Sequence, residues 1–203
     1  MDSETIAHGL AALADVDQEV ARAFEMLGPP PPRLRPVGFE TFLATIVSQQ
    51  LATEAARAIL GRVQALMPQT TAQALLSVDD DALRSAGLSF RKIEYAKGLA
   101  LAVEEGRFDI DALATMSDED AIASITALRG FGRWSAEIYL MFSLRRPDVF
   151  PADDLALQVA LGRLKGLEAR PTAKQARELV AHWAPWRSVG ALFLWHYYRG
   201  APA

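Results

Sequence analysis

Apolar residues in this chain recur at three- and four-residue intervals. Nowhere do apolar and polar residues alternate over a stretch long enough for a strand. That pattern confines the fold to helix packed on helix. The first helical stretch covers residues 4–27, with Ile6, Leu10, Leu13 and Val20 on one broad face. The run Pro29 to Pro32 stops it and forces an extended connector to about Pro36. Helices are then predicted over 39–49, Thr53 to about Met67, 71–76, 79–86, 90–105 and Ser117 to about Leu128. A turn at Arg129–Gly132 leads to a helix over 133–145, a break at Pro147, and closing helices near 154–164, 172–183 and 187–198. No internal repeat is present.

At 203 residues the chain suits a single domain, and just over half of its residues are apolar, enough to bury a core without covalent staples. It has no cysteine, which removes disulfides, zinc-thiolate sites, cysteine-held iron–sulfur clusters and cysteine nucleophiles together. The segment MDSETIAHGL carries acids and no basic stretch, so no secretory signal is expected, and no apolar run reaches membrane-spanning length. The expectation is a soluble cytoplasmic protein, nucleoid-associated in a bacterium. A formal charge of −4 argues against nucleic-acid binding, although a local basic edge can act on a chain that is acidic elsewhere.

The most informative stretch is Leu128-Arg129-Gly130-Phe131-Gly132-Arg133-Trp134-Ser135-Ala136. Two glycines one residue apart permit backbone angles closed to other residues and remove side chains that would bar a close approach. The first amides of the following helix lack intrahelical partners and face outward beside a partial positive charge, an anion seat suited to a phosphate. Arg129 and Arg133 flank it with full charges. A bare Gly-x-Gly is more often an ordinary corner. Here apolar Leu128 and Phe131, with small Ser135 and Ala136, extend the match to a helix-hairpin-helix motif. Further on, Val149-Phe150-Pro151-Ala152-Asp153-Asp154-Leu155-Ala156-Leu157 places two aspartates at a helix start. One aspartate there is normally a cap. Two in a row leave one to cap and one to point elsewhere.

Four stretches together resemble the helix-hairpin-helix glycosylase superfamily of base-excision repair, and within it the 3-methyladenine DNA glycosylase II branch. They are Ile46-Val47-Ser48-Gln49-Gln50; Gly87-Leu88-Ser89 with Arg91-Lys92; the hairpin with its aspartate; and Ala184-Pro185-Trp186-Arg187-Ser188 continuing to Trp195. The likeness covers residues 36–198. It implies an all-α fold of two helical lobes with a cleft between them, a central lobe of about 36–145 and a second of about 1–35 plus 146–203. It places the catalytic carboxylate on Asp154 and makes Asp153 the cap; a register shift of one residue would exchange the two. Trp134 and Trp195 fall where the family has its base pocket, whereas Trp183 and Trp186 are read as core. DNA contacts are implied for Gln49, Gln50, Leu51, Gly130, Phe131, Gly132, Arg133 and Ser135. Either Gln50 or Leu51 fills the gap left by an everted base. Arg91, Lys92 and Lys97 are candidates for phosphate contact, with solvated surface charge the commoner explanation.

The resemblance implies excision of N-alkylated purines from duplex DNA by a monomer, through base flipping and carboxylate-assisted hydrolysis of the glycosidic bond. Strand-cleaving relatives place a lysine two residues after the hairpin's second glycine; that position is Trp134 here, so no lyase step is expected. No side-chain metal site is expected, and His8, His182 and His196 lack ligand spacing. The resemblance implies no cofactor beyond a monovalent cation held by hairpin backbone carbonyls when DNA is bound. Two departures stand out. Nothing encodes the N-terminal β-rich domain of longer members, and the stretch from Asp154 to Pro185 is longer than theirs. The rival readings are a non-catalytic helix-hairpin-helix DNA-binding module, which needs neither Asp154 nor a tryptophan pocket, and a helical protein–protein adaptor.

Overall fold

The computed structural model describes residues 1–200, and among these the regular structure is entirely helical. The chain divides into two compact units, one of Met1–Arg35 with the chain from Glu137 onward, the other of Pro36–Ala136.

The first unit holds α1 (Ser3–Val16), α2 (Gln18–Leu27), α10 (Leu155–Leu164), α11 (Ala173–Leu179), α12 (Arg187–Gly200) and the later part of α9 (Arg133–Phe142). Its core is built from Ile6, Leu10, Leu13, Val20, Phe142, Leu157, Leu161, Trp183 and Phe193. The helical stretch expected over 4–27 is two helices, broken at Asp17. Asp17 leaves the helical conformation (φ −144°, ψ 102°) and caps α2 by accepting the Val20 amide at 3.2 Å. Its buried carboxylate also accepts from Lys165 Nζ (2.5 Å) and Trp183 Nε1 (2.6 Å), with His182 Nε2 at 3.0 Å. Burial alone would raise the pKa of this acid. The hydrogen bonds from Lys165, Trp183, Val20 and His182 outweigh burial and hold it well below the ordinary carboxylate range. The helix expected over 172–183 also divides. α11 ends at Leu179, and a 3₁₀ turn at Ala181–Trp183 swings the Trp183 indole onto Asp17.

The second unit holds α3 (Phe39–Ser48), α4 (Thr53–Gln64), α5 (Ala72–Leu76), α6 (Asp80–Ser85), α7 (Phe90–Glu104), α8 (Asp118–Thr126) and the first turn of α9. Thr71, Ser89 and Ser117 cap α5, α7 and α8 through the amide three residues on, which is why the chain turns into helix at those points. α7 runs through the middle, burying Ile93, Ala96, Leu99 and Ala100, and packs on α3, α5 and α6. Phe42 is fully buried, with Phe108 and Phe131 edge-on to it at 5.3 and 5.5 Å.

The boundary expected near residue 145 lies instead within α9, after Ala136. The reason is local: Phe142 accepts the Arg35 amide through its carbonyl (3.0 Å) and stacks on Trp195, so the end of α9 belongs with the first unit. Among the described residues no helix is long and apolar enough to cross a membrane.

Candidate functional site

In the second unit, the two glycines of the hairpin do different work. Gly130 has φ +93°, and a β-carbon there would sit 2.4 Å from the Tyr95 ring, so both the turn and the packing demand glycine. Gly132 is exposed, and a β-carbon on it would meet nothing within 4 Å. It is the open approach to the helix end. α9 makes its first helical bond from the Ala136 amide to the Gly132 carbonyl (3.2 Å), so the amides of Arg133–Ser135 precede the intrahelical ladder and lie at the positive end of the helix dipole. Ser135 is half-buried and Ala136 buried.

Several expected DNA contacts are engaged within the protein. The Phe131 ring is core, not surface, and its amide closes the turn onto the Leu128 carbonyl at 3.2 Å, leaving the turn itself as its contribution. The Gln49 side chain donates from Nε2 to the Gly130 carbonyl at 2.7 Å, bracing the hairpin from the end of α3. The flanking charges are paired at the surface, Arg129 with Glu94 and Arg133 with Glu119, the latter at 2.8 and 3.2 Å. Lys92 and Lys97 are not solvated charge. Lys92 donates to the Val47 carbonyl (2.7 Å), and Lys97 to those of Leu76 and Val78 (3.1 and 2.5 Å), satisfying carbonyls in or just past the last turns of α3 and α5. Burial pulls the Lys92 ammonium below its usual range. Gln50 and Leu51 form the tip of the α3–α4 turn, both exposed, with Gln50 in the left-handed region at φ 57°. A non-glycine residue held there costs roughly 1–3 kcal/mol, a feature concentrated at functional turns. Trp134, in the first turn of α9, is 44% exposed.

In the first unit, the two aspartates separate clearly. Asp153 is exposed and paired with Arg177 at 3.0 Å; it is not the cap. Asp154 is the last extended residue before α10 (φ −72°, ψ 119°) and caps it, with Oδ1 accepting the Leu157 amide at 3.0 Å. The same oxygen accepts Trp195 Nε1 at 3.2 Å. One residue therefore both caps the helix and meets the tryptophan, because the half-buried carboxylate lies where the start of α10 meets the side of α12. Around it stands an aromatic wall. Trp195 and Phe142 lie 6.0 Å apart, and Arg33 Cζ sits 4.4 Å over the Phe142 ring and 5.9 Å over that of Trp195.

The sequence reading missed Arg33. The available signal was its place in Pro32-Arg33-Leu34-Arg35-Pro36: extended chain puts residues two apart on one side, and both arginines are half-buried. Arg33 is anchored through its backbone, its amide donating to the Met1 carbonyl (3.1 Å) and its carbonyl accepting from the Met1 ammonium (2.6 Å). Burial, then neighbouring Arg35 and Arg199, lower its pKa, and Asp154 acts in the opposite sense. A basic cluster thus exists on an acidic chain. Trp183 is core as expected, while Trp186 is half-buried with His8 stacked against it at 5.2 Å.

Comparison with known proteins agrees with this geometry. The chain is 34% identical over 161 residues to DNA-3-methyladenine glycosylase 1 of Schizosaccharomyces pombe, spanning 77% of this chain and 71% of that protein. Two longer curated relatives from Bacillus subtilis are matched over less than half of their length. Among solved structures, the crystal structure of DNA-3-methyladenine glycosidase from Bacillus halodurans superposes with a TM-score of 0.84 at 35% identity, covering 93% of this chain and 87% of that one. The S. pombe 3-methyladenine DNA glycosylase in complex with abasic DNA also gives 0.84, at 30% identity, covering 96% and 98%. Residues 43–185, which include the hairpin and Asp154, match the family described as HhH-GPD superfamily base excision DNA repair protein. The chain belongs to that superfamily.

Proposed function

We propose that this protein is a monofunctional DNA glycosylase that excises N-alkylated purines from duplex DNA, with Asp154 as the catalytic carboxylate. The observation that carries the reading is the Asp154 carboxylate held at the start of α10 against the Trp195 indole, beside a second aromatic ring. Breaking the bond between base and deoxyribose builds positive charge on the sugar. A fixed carboxylate stabilises that cation and orients the attacking water. Water adds at the sugar carbon, the base leaves with the bonding electron pair, and the proton lost by water passes to the carboxylate or to solvent. No amine stands at position 134 to capture the sugar, so hydrolysis is the only step required. An alkylated purine is a good leaving group, and its electron-poor ring gains roughly 0.5–2 kcal/mol by stacking on an indole. Eversion of the target costs about a few kcal/mol, least where the base is damaged.

In this reading Gly132 and the first amides of α9 take a backbone phosphate, Gln50 or Leu51 occupies the vacated stack, and Trp134 and Trp195 are each assigned to base contact. The protein acts as a monomer in the compartment that holds DNA. A monovalent cation would be held by hairpin backbone carbonyls when DNA is bound, that of Gly130 keeping a lone pair beside the one that accepts the Gln49 amide. The test is base release from methylated duplex, followed by mass spectrometry. Release by the wild type, lost in Asp154→Asn with duplex binding retained, is the expected result. Binding without release in the wild type would leave a non-catalytic helix-hairpin-helix module.

A further inference from the structure

Among the described residues, Arg33 is the permanent cation that lies over the aromatic wall beside Asp154. Its guanidinium lies over Phe142 and reaches Trp195, and its backbone is pinned to Met1, so its position is set by the fold and not by solvent. Beside it is a cavity of about 200 Å³ lined by Arg33, Trp195, His196, Arg199 and the prolines of the connector. A purine stacked on Trp195 beside Asp154 would share the indole with a guanidinium. Purines alkylated at N3 or N7 carry a formal positive charge, and two cations on one indole repel. A neutral purine lesion escapes that repulsion, and a ring carbonyl on it can accept from the guanidinium N–H groups.

We infer that Arg33 is a specificity-determining residue, tilting this site toward neutral, carbonyl-bearing purine lesions relative to cationic ones. The inference rests on the glycosylase reading and refines it. Cationic bases still leave readily by their own chemistry, and what Arg33 sets is the ratio between the two classes. Two unit charges about 6 Å apart at effective dielectric constants between 20 and 80 correspond to roughly threefold to a hundredfold in rate, so about tenfold is a reasonable expectation.

The experiment measures kcat/KM on duplexes carrying 7-methylguanine, which is cationic, and hypoxanthine, which is neutral. Arg33→Met should raise the 7-methylguanine to hypoxanthine ratio about tenfold, while Arg33→Lys, which keeps the charge, should hold it within about threefold of wild type. If Arg33→Met does not fold, Arg33→Gln reads the same ratio. An unchanged ratio in the neutral variants overturns the inference, as does an equal loss on both duplexes, which would make Arg33 a phosphate contact or a purely structural residue. Failure of the wild type to release either base would overturn the glycosylase reading itself, a result distinct from release with an insensitive ratio.

Discussion

The two tasks of Asp154 can be pulled apart by two substitutions. Its Oδ1 accepts the Leu157 amide and the Trp195 indole N–H. In Asp154→Asn the side-chain oxygen can still accept from Leu157, and Asn caps about as well as Asp. What is lost is the charge at the helix N-terminus, about 0.3–1 kcal/mol. In Asp154→Ala the cap goes too, about 1 kcal/mol, and the half-buried indole N–H loses this acceptor, about 1–2 kcal/mol more. For a chain of this size each kcal/mol moves Tm by about 2–4 °C. Asn should therefore melt about 1–4 °C below wild type and Ala about 5–16 °C below. Catalysis should not follow that order. Both variants lack the carboxylate, and loss of one preorganised charge-stabilising group costs about 10²–10³ in rate. Calorimetry and single-turnover base release on methylated duplex measure the two quantities on the same samples. An Asn variant that releases base within tenfold of wild type would refute the argument and leave Asp154 as a cap alone.

The hairpin glycines should separate in the same manner. Gly130→Ala meets the Tyr95 ring in a left-handed conformation and should cost about 2–5 kcal/mol in a denaturant melt. Gly132→Ala meets open space and should leave the melt nearly unchanged while weakening duplex binding. Glu119→Gln, which removes a negative charge paired with Arg133 beside the hairpin, should raise duplex affinity at low salt. Trp134→Ala should reduce turnover on alkylated purines far more than it lowers Tm; a matching drop in both would mark it as a packing residue. Asp17→Asn should cost about 1–3 kcal/mol near neutral pH, because Lys165 and Trp183 lose a charged acceptor while Lys165 keeps Glu19 at 3.3 Å. Because the native pKa of Asp17 is depressed, its stabilisation is complete above about pH 4 and is lost as pH falls through the native value. The difference between wild type and Asp17→Asn in acid melts should accordingly shrink below about pH 4.

Local patterns made most helices legible, since a cap and its apolar face lie within a few residues of each other. Ser117, Ser89 and Thr71 start helices as side-chain acceptors whatever surrounds them. The breaks at Asp17 and Val180 were not legible, because each depends on a partner far away in sequence: Asp17 leaves the helix to meet Lys165 and Trp183. The pairing of Gly130 with Tyr95, and of Gln49 with the Gly130 carbonyl, was hidden for the same reason.

The sequence alone determined a helical fold, a glycine turn fit to receive an anion, and an aspartate pair at a helix start, all consequences of backbone sterics and unpaired helix-end groups acting over a few residues. Only tertiary structure gave Asp154 the cap and Asp153 the pairing with Arg177, sent Phe131 and Gln49 inward, paired Arg129 and Arg133, and brought Arg33 to the aromatic wall. Those outcomes turn on desolvation and charge pairing between segments up to more than a hundred residues apart, distances over which the order of residues carries no direct signal.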